Sequence, residues 1–380
     1  MRIARKLAAM IKNKIIRLVF RIISVFLPIK NQIVFESYNG KQYSDNPRAI
    51  SEKMHQLFPQ YSIVWHINKS TDKSCVPEYV KIVDSRKKYY FEVLKSFCVV
   101  RNEEYSPIYI KRKEQFFIQT WHGDKPFKKI LYDSSNNKKE FLDALIVDLA
   151  ISGSEFGTKL YRSAFRYKGK VLQIGNPRTE MAKERDVAFK QALKKKIGLS
   201  NDTKIVLYAP TFRDNTAKQQ INVNLEEVLD LLNKKNKTKY ACLIRGHVGK
   251  RLDSPYGFID VTFGYDMADL LSISDLLITD YSSVAADASS LGIDVIITAF
   301  DQDEYLEKCR EFYYSPKECG FIVSCSQREL NILINNYDTI DFSSSRRKVE
   351  AFFGIIETGH SSEKICEIVN DFKSTGLRND

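Results

Sequence analysis

Residues 276–287 read LLITDYSSVAAD. An apolar run of strand type ends in Asp280, and Ser282 and Ser283 follow where a helix should start. Two other stretches repeat the arrangement. Residues 205–214, IVLYAPTFRD, are a buried-strand pattern that ends in Pro210 and delivers Arg213 and Asp214. Residues 243–249, LIRGHVG, end in Arg245, Gly246 and His247. Three apolar runs thus hand polar residues to a loop at their carboxyl ends, the edge at which open α/β sheets bind ligands. Hydroxyls and free backbone N–H groups at a helix N-terminus form an anion site. Plain N-capping would place the same serines there, and the two readings are compatible.

A fourth stretch supplies chemistry. Residues 118–130 read IQTWHGDKPFKKI: an apolar run ends in Trp121, His122 and Gly123, and Lys125, Lys128 and Lys129 follow. Histidine accepts a proton near neutral pH, and the lysines would hold an anionic substrate beside it. A buried histidine at a strand end beside a solvated basic face would read the same way.

From residue 31 the chain alternates strands and helices. Strands are expected at 32–37, 62–67, 80–83, 98–101, 116–121, 149–152 and 171–174, with helices at 46–58 (Asn46 as N-cap, Pro47 first in the helix) and 87–97. The Gly175-Asn176-Pro177 turn punctuates the chain, and one charged helix is expected at 180–196. A second set follows, with strands near 204–209, 240–245, 258–261, 276–279 and 294–299 and helices that include 225–232 and 267–274. Repeated alternation of this kind argues for parallel sheets. Two tandem sets argue for two Rossmann-like domains, 31–178 and 179–345, facing a central cleft. Helices near 345–353 and 361–372, within the final segment 346–380, would close the chain and could cross back to the first domain. The polar stretch 133–139 is the expected mobile loop.

Residues 1–30 carry eight basic and no acidic side chains, interleaved with apolar ones mostly three or four apart. That is a helix with a basic face. Arg17 and Arg21 interrupt it, so it falls short of the roughly 20 apolar residues of a membrane span. Without a small-residue cleavage site it does not read as a signal peptide. An amphipathic helix lying on anionic lipid fits the one-sided charge; a helix docked on the protein's own core would share the spacing.

The 380 residues favour two domains, and 43% hydrophobic content suffices for full cores. The net charge of +12 allows nucleic acid, an anionic membrane or an anionic substrate as partner. The basic excess gathers in residues 1–30, without the basic patch interleaved with aromatics of a nucleic-acid binder, so nucleic acid is not expected. Seven cysteines show neither a CxxC pair nor metal spacing and suit a reducing compartment. No carboxylate or His/Cys cluster has metal-ligand spacing, so neither a metal nor a cofactor is expected.

The stretches FESYNGKQYSDNPRAI (35–50), QTWHG (119–123), GNPRTE (175–180), LYAPTFRD (207–214), IRGH (244–247), ITDYSS (278–283) and, more weakly, ETGHSSEKIC (357–366) occur in the order found in bacterial CDP-glycerol glycerophosphotransferases. The chain resembles that family over roughly residues 31–370, most of all its short single-module members. The resemblance implies the two-domain architecture called GT-B. It also implies transfer of glycerol phosphate or ribitol phosphate from a CDP-activated polyol, with release of CMP, in teichoic acid or capsule synthesis. The implied acceptor is an undecaprenyl-diphosphate-linked saccharide, and the implied place is the cytoplasmic face of the cell membrane, as a peripheral protein.

On this reading His122 is the general base and His247 stabilises the diphosphate or departing CMP. Ser282 and Ser283 donate to the diphosphate, as the matching serines do in the family. Arg213, Arg245, Asp280 and Asp287 complete the donor side, and Gly123, Lys125 and Lys128 face acceptor or phosphate. The chain departs from the family at Asp124, Lys125 and Phe127 after the WHG triplet, at Gly246 before the second histidine, and at Ala285 and Ala286. Asp124 could hold a lysine or alter acceptor contacts. A GT-B enzyme using a nucleotide sugar is the alternative of the same fold, and a non-enzymatic basic binding protein the alternative of another class. A homo-oligomer is left open.

Overall fold

The computed structural model describes residues 2–134, 146–211, 222–235, 238–246, 258–308 and 311–376. Most of the stretch expected to be a mobile loop, 135–139, lies outside them, as do Arg213, Asp214 and His247.

Two parallel sheets organise the chain. The first contains β1 (Lys30–Glu36), β2 (Ser62–His66), β3 (Lys81–Val83), β4 (Ser96–Arg101), β5 (Phe116–Gln119), β6 (Leu149–Ser152) and β7 (Lys170–Gln173), in the order β3-β2-β1-β4-β5-β6-β7. The second contains β8 (Lys204–Tyr208), β9 (Tyr240–Ile244), β10 (Ile259–Asp260), β11 (Leu276–Thr279), β12 (Asp294–Thr298) and β13 (Ile322–Ser324), in the order β10-β9-β8-β11-β12-β13. Both orders grow outward from their first strand and then reverse, the doubly wound pattern. Their switch points lie between β1 and β4 and between β8 and β11.

The strands are apolar on both faces because helices cover both. In β1, Ile33 and Phe35 join one core with Trp65 and Val100, whereas Val34 joins the opposite core with Val64 and Val99. In β8, Ile205 and Leu207 point to one side and Val206 and Tyr208 to the other.

Four helices belong with the first sheet. Helix α1 (Arg2–Phe26) precedes β1 and touches the body through Phe20 against Tyr90 and Phe91. Its Met10, Ile11, Ile15, Leu18, Ile22, Val25 and Phe26 are exposed. No helix among the described residues is long and apolar enough to cross a membrane. Helix α2 (Asp45–Leu57) starts two residues earlier than expected: Ser44 is the N-cap and Asn46 sits inside, its carboxamide engaged elsewhere. Helix α3 (Arg86–Lys95) and α4 (Glu155–Ser163) flank the first sheet.

The single helix expected over 180–196 is two, α5 (Pro177–Glu184) and α6 (Val187–Ile197). Arg185 is extended between them and its guanidinium reaches Asp269 at 2.8 Å, while Asp186 caps α6 by accepting from Phe189 N. The side-chain bonds at this junction outweigh the helical propensity of the sequence.

In the second half, α7 (Leu225–Lys235), α8 (Met267–Ser272), α9 (Val284–Ser290), α10 (Gln302–Lys308), α11 (Gln327–Asn335) and α12 (Phe342–Phe353) surround the second sheet. Helix α13 (Ser361–Thr375) returns to the first: Ile365, Cys366, Val369 and Phe372 lie in its core. Glu180 anchors that return, accepting from Ser361 N (2.5 Å), Ser361 Oγ (2.7 Å) and Ser362 N (3.2 Å). A carboxylate at a helix N-terminus satisfies free N–H groups and favours the helix dipole, which accounts for the serine pair of the last motif. His360 is exposed beside it.

Candidate active site

The carboxyl ends of β1, β4 and β5 build the first wall. After β5 the backbone turns sharply at Trp121, whose φ is +49°, and presents His122. Such a conformation costs a non-glycine residue energy and persists only where neighbours hold it. His122 Nδ1 lies 2.7 Å from the carbonyl oxygen of Asn102, the residue after β4. A carbonyl only accepts, so Nδ1 carries a proton, and in the neutral ring Nε2 has the lone pair. Nε2 makes no hydrogen bond among the described residues, and His122 lines the cavity between the two halves.

Beside it, Tyr38 and Asp45 also have positive φ, +46° and +66°. The Tyr38 hydroxyl donates to Asp45 Oδ2 at 2.5 Å, and Asn102 Nδ2 donates to the same oxygen at 3.2 Å. Burial and the neighbouring Asp45 carboxylate push the Tyr38 hydroxyl well above its ordinary range, so it stays a donor. Burial would raise the Asp45 carboxyl, but Arg178, Tyr38 and the Asn46 N–H outweigh it and hold the group below its usual value. Asp45 is therefore an ionised, saturated hub, and His122 is the group of this wall with a free lone pair.

The second wall comes from the switch point of the second sheet. Ala209 and Pro210 follow β8, Arg245 and Gly246 follow β9, and Ser282 and Ser283 follow β11; all line the cavity. Ser283 makes no side-chain cap bond, and Ser282 Oγ accepts weakly from Val284 N at 3.4 Å, so both hydroxyls retain donor capacity. Arg245 is buried, and its Nη1 donates to the carbonyls of Val261 (3.2 Å) and Tyr265 (2.8 Å). Among the described residues no carboxylate lies within ion-pair distance of it. Burial pulls its pKa down, with Asp266 opposing. A buried cation without a carboxylate seeks an anion.

Ion pairs join the walls. Arg178, at the start of α5, donates Nη1 to Asp45 Oδ1 (3.0 Å) and Nε to Asp287 Oδ2 (3.0 Å). Arg48 on α2 pairs with Asp269 (2.5 Å) and Asp266 (3.4 Å). The Asp45 N–H donates to Asp266 Oδ2 at 2.9 Å. The cavity measures about 180 Å³. The described residues contain no group of three or more His, Cys, Asp or Glu side chains able to hold a metal ion.

The expected residues divide. His122, Arg245, Ser282, Ser283 and Asp287 meet at the cavity. Gly123 faces Ser283 so closely that a methyl group there would lie 2.5 Å from the hydroxyl oxygen. Lys125 lies outside the cavity lining: it is buried, with Nζ 2.8 Å from Asp124 and 3.4 Å from Asp287. Asp124 is equally buried and accepts from Gly153 N (2.8 Å) and Asn176 Nδ2 (3.1 Å). Of its two expected roles, holding a lysine is the one the structure has. Lys128 lies outside the cavity lining, over the Tyr305 ring at 5.9 Å. Asp280 also faces inward, accepting from Thr211 N (2.7 Å) and Tyr281 N (2.6 Å), and braces the β8 and β11 loops.

Sequence reasoning missed Tyr38, Asp45, Asn102, Arg178 and Asp266. Asp45 and Arg178 flank the two Asn-Pro pairs of 46–47 and 176–177, a repeated charge-beside-turn signal that would have marked them.

Comparison with known proteins identifies the family. The family model described as CDP-glycerol:poly(glycerophosphate) glycerophosphotransferase matches residues 18–371. A teichoic acid glycerol-phosphate transferase of Staphylococcus aureus is 31% identical, over 95% of this chain and 100% of its own. A teichoic acid ribitol-phosphate primase of Bacillus spizizenii is 28% identical, over 94% and 95%. The solved structure of the wall teichoic acid polymerase TagF with a histidine-to-alanine substitution superposes with a TM-score of 0.81 at 27% identity, covering 98% of this chain and 97% of that one. Another TagF variant, soaked with CDPG, gives 0.79 at 29% identity, with 98% of each chain covered. The chain therefore belongs to the CDP-glycerol:poly(glycerophosphate) glycerophosphotransferase family, a family of enzymes of teichoic acid synthesis.

Proposed function

We propose that this enzyme transfers glycerol phosphate, or ribitol phosphate, from its CDP-activated form to a lipid-linked acceptor or growing polymer, with release of CMP. The observation that carries the reading is the placement of His122: Nδ1 is bound to the Asn102 carbonyl and Nε2 is left free in a cavity whose opposite wall holds Arg245, Ser282 and Ser283. His122 Nε2 takes the proton of the acceptor hydroxyl as its oxygen attacks the phosphorus bearing the polyol. The bond from that phosphorus to the bridging oxygen breaks, and CMP leaves with the electron pair. Such a transfer needs alignment and charge stabilisation more than covalent help. Arg245 and the two serine hydroxyls stabilise the diphosphate, and Gly123 lets the walls approach. Asp287 and Asp280 act through what they hold, Arg178 and the switch-point loops. His247 and Arg213 keep their sequence-based roles, stabilising departing CMP and neutralising charge.

Helix α1 supports a place on the membrane surface. Its apolar side chains are exposed, and residues 1–30 carry only basic charge, the combination that binds anionic lipid at an interface. A lipid-linked acceptor would meet the cavity there, on the cytoplasmic face. The test is CMP release from CDP-glycerol and CDP-ribitol with a lipid-linked acceptor, beside UDP- and GDP-sugars. Acceptor-dependent release from a CDP-polyol supports the reading, and activity with nucleotide sugars alone overturns it.

A further inference from the structure

The stretch 35–50 contains a residue that the reaction as described does not use. Asn46 is wholly buried at the start of α2. Its own N–H is held by Asp45 Oδ1 at 2.6 Å. Its Nδ2 donates to the carbonyl oxygens of Thr120 and Trp121, both at 3.3 Å. Its Oδ1 accepts from Arg178 N at 3.1 Å. One carboxamide thus joins the backbone that carries His122 to the helix start that carries the cross-domain arginine.

The Thr120 and Trp121 carbonyls flank the one residue of this loop with positive φ. Trp121 is held from the other side as well, through its N–H to Gln119 Oε1 at 2.9 Å. A strained turn relaxes unless its backbone groups are tied. If it relaxes, His122 leaves the line between acceptor and phosphorus, though nothing that touches the donor is removed.

We propose that Asn46 is a positioning residue for the transfer reaction: its carboxamide N–H groups fix the Trp121 turn and thereby aim His122 Nε2 into the cavity. This assignment rests on the reading of His122 as the base. Two roles of Asn46 can be separated by substitution. Asn46→Asp keeps an acceptor for Arg178 N, but it cannot donate and sets a negative charge against two carbonyl oxygens. If Asn46 served only to start α5, this variant would resemble wild type. If Asn46 holds the turn, Asn46→Asp is at least as damaging as Asn46→Ala.

The experiment measures CMP release with CDP-glycerol and a lipid-linked acceptor, and CDP-glycerol affinity by calorimetry, for wild type, Asn46→Asp, Asn46→Ala and Asn46→Ser. A displacement of about 1 Å costs on the order of a hundredfold in rate, so we expect kcat to fall by about that factor in all three variants, with CDP-glycerol affinity unchanged. Should the charged variant not fold, the small neutral Asn46→Ser gives the same split between rate and affinity. A folded Asn46→Asp with wild-type kcat overturns the assignment, as does loss of affinity in step with rate. A wild-type enzyme silent with CDP-polyols refutes the transfer reading instead, and this inference with it.

Discussion

Gly123 and Ser283 touch across the cleft: a methyl group on the glycine would lie 2.5 Å from the serine hydroxyl oxygen. The glycine that follows the base therefore sets how near the donor-side serines come to it. Gly123→Ala is expected to fold normally, because the residue has no positive φ, and to lose about tenfold or more in kcat/KM by holding the walls apart. Gly123→Ala combined with Ser283→Gly relieves the clash. A double variant that recovers part of the loss in a double-mutant cycle bears this out; strictly additive losses would contradict it.

Arg245 predicts a binding phenotype. Its guanidinium is buried with two carbonyls and without a carboxylate among the described residues. A hydrogen bond to a charged group contributes about 1.5–3 kcal/mol, so Arg245→Ala should weaken CDP-glycerol binding by about ten- to a hundredfold. Calorimetry on the two proteins measures it directly. Undiminished affinity would remove Arg245 from the donor site.

Arg178 predicts a stability phenotype joined to an activity one. It is bound by Asp45 at the start of α2, beside the first sheet, and by Asp287 on α9, beside the second. Removing one member of a buried pair typically costs about 3–5 kcal/mol, because the remaining charge is stranded. Arg178→Met should lower the urea midpoint accordingly. Asp287→Asn in the same chain should restore part of it, since one stranded carboxylate disappears.

Asp124 governs acid sensitivity. Burial would raise its carboxyl, yet Lys125, Arg178 and Asn176 hold it well below the usual carboxylate range. A depressed folded-state pKa means stability that is complete above the unfolded value, about 4, and is lost as pH falls below it towards the folded value. Asp124→Asn should therefore be less stable than wild type at pH 7, with the gap narrowing below about pH 4. Thermal unfolding from pH 3 to 7 records it. A gap independent of pH would show that the ionised carboxylate is not the stabilising form.

The site was legible where it depends on strand ends. His122, Arg245 and the Ser282–Ser283 pair each follow an apolar run, and a parallel strand has to deliver its next residues to the carboxyl edge of the sheet. Lys125 was expected to face acceptor or phosphate beside Lys128 and Lys129, and its pairing with Asp124 and Asp287 is seen only in the fold. One of those partners, Asp287, lies far along the chain, beside the second sheet. Asp45 and Arg178 escaped because they stand far apart in the chain and only the fold makes one the partner of the other. The break between α5 and α6 was hidden by good helix formers on both sides, where the Arg185–Asp269 pair and the Asp186 cap prevail. Asn46 read as an N-cap from its place before Pro47, and only the fold shows its carboxamide spent on the His122 loop.

The most direct test compares wild type with His122→Ala in acceptor-dependent CMP release from CDP-glycerol or CDP-ribitol, with donor affinity measured alongside. With His122 as the base, the variant binds the donor as wild type does and releases almost no CMP. A variant that turns over at a rate near wild type would place the base elsewhere and contradict the mechanism.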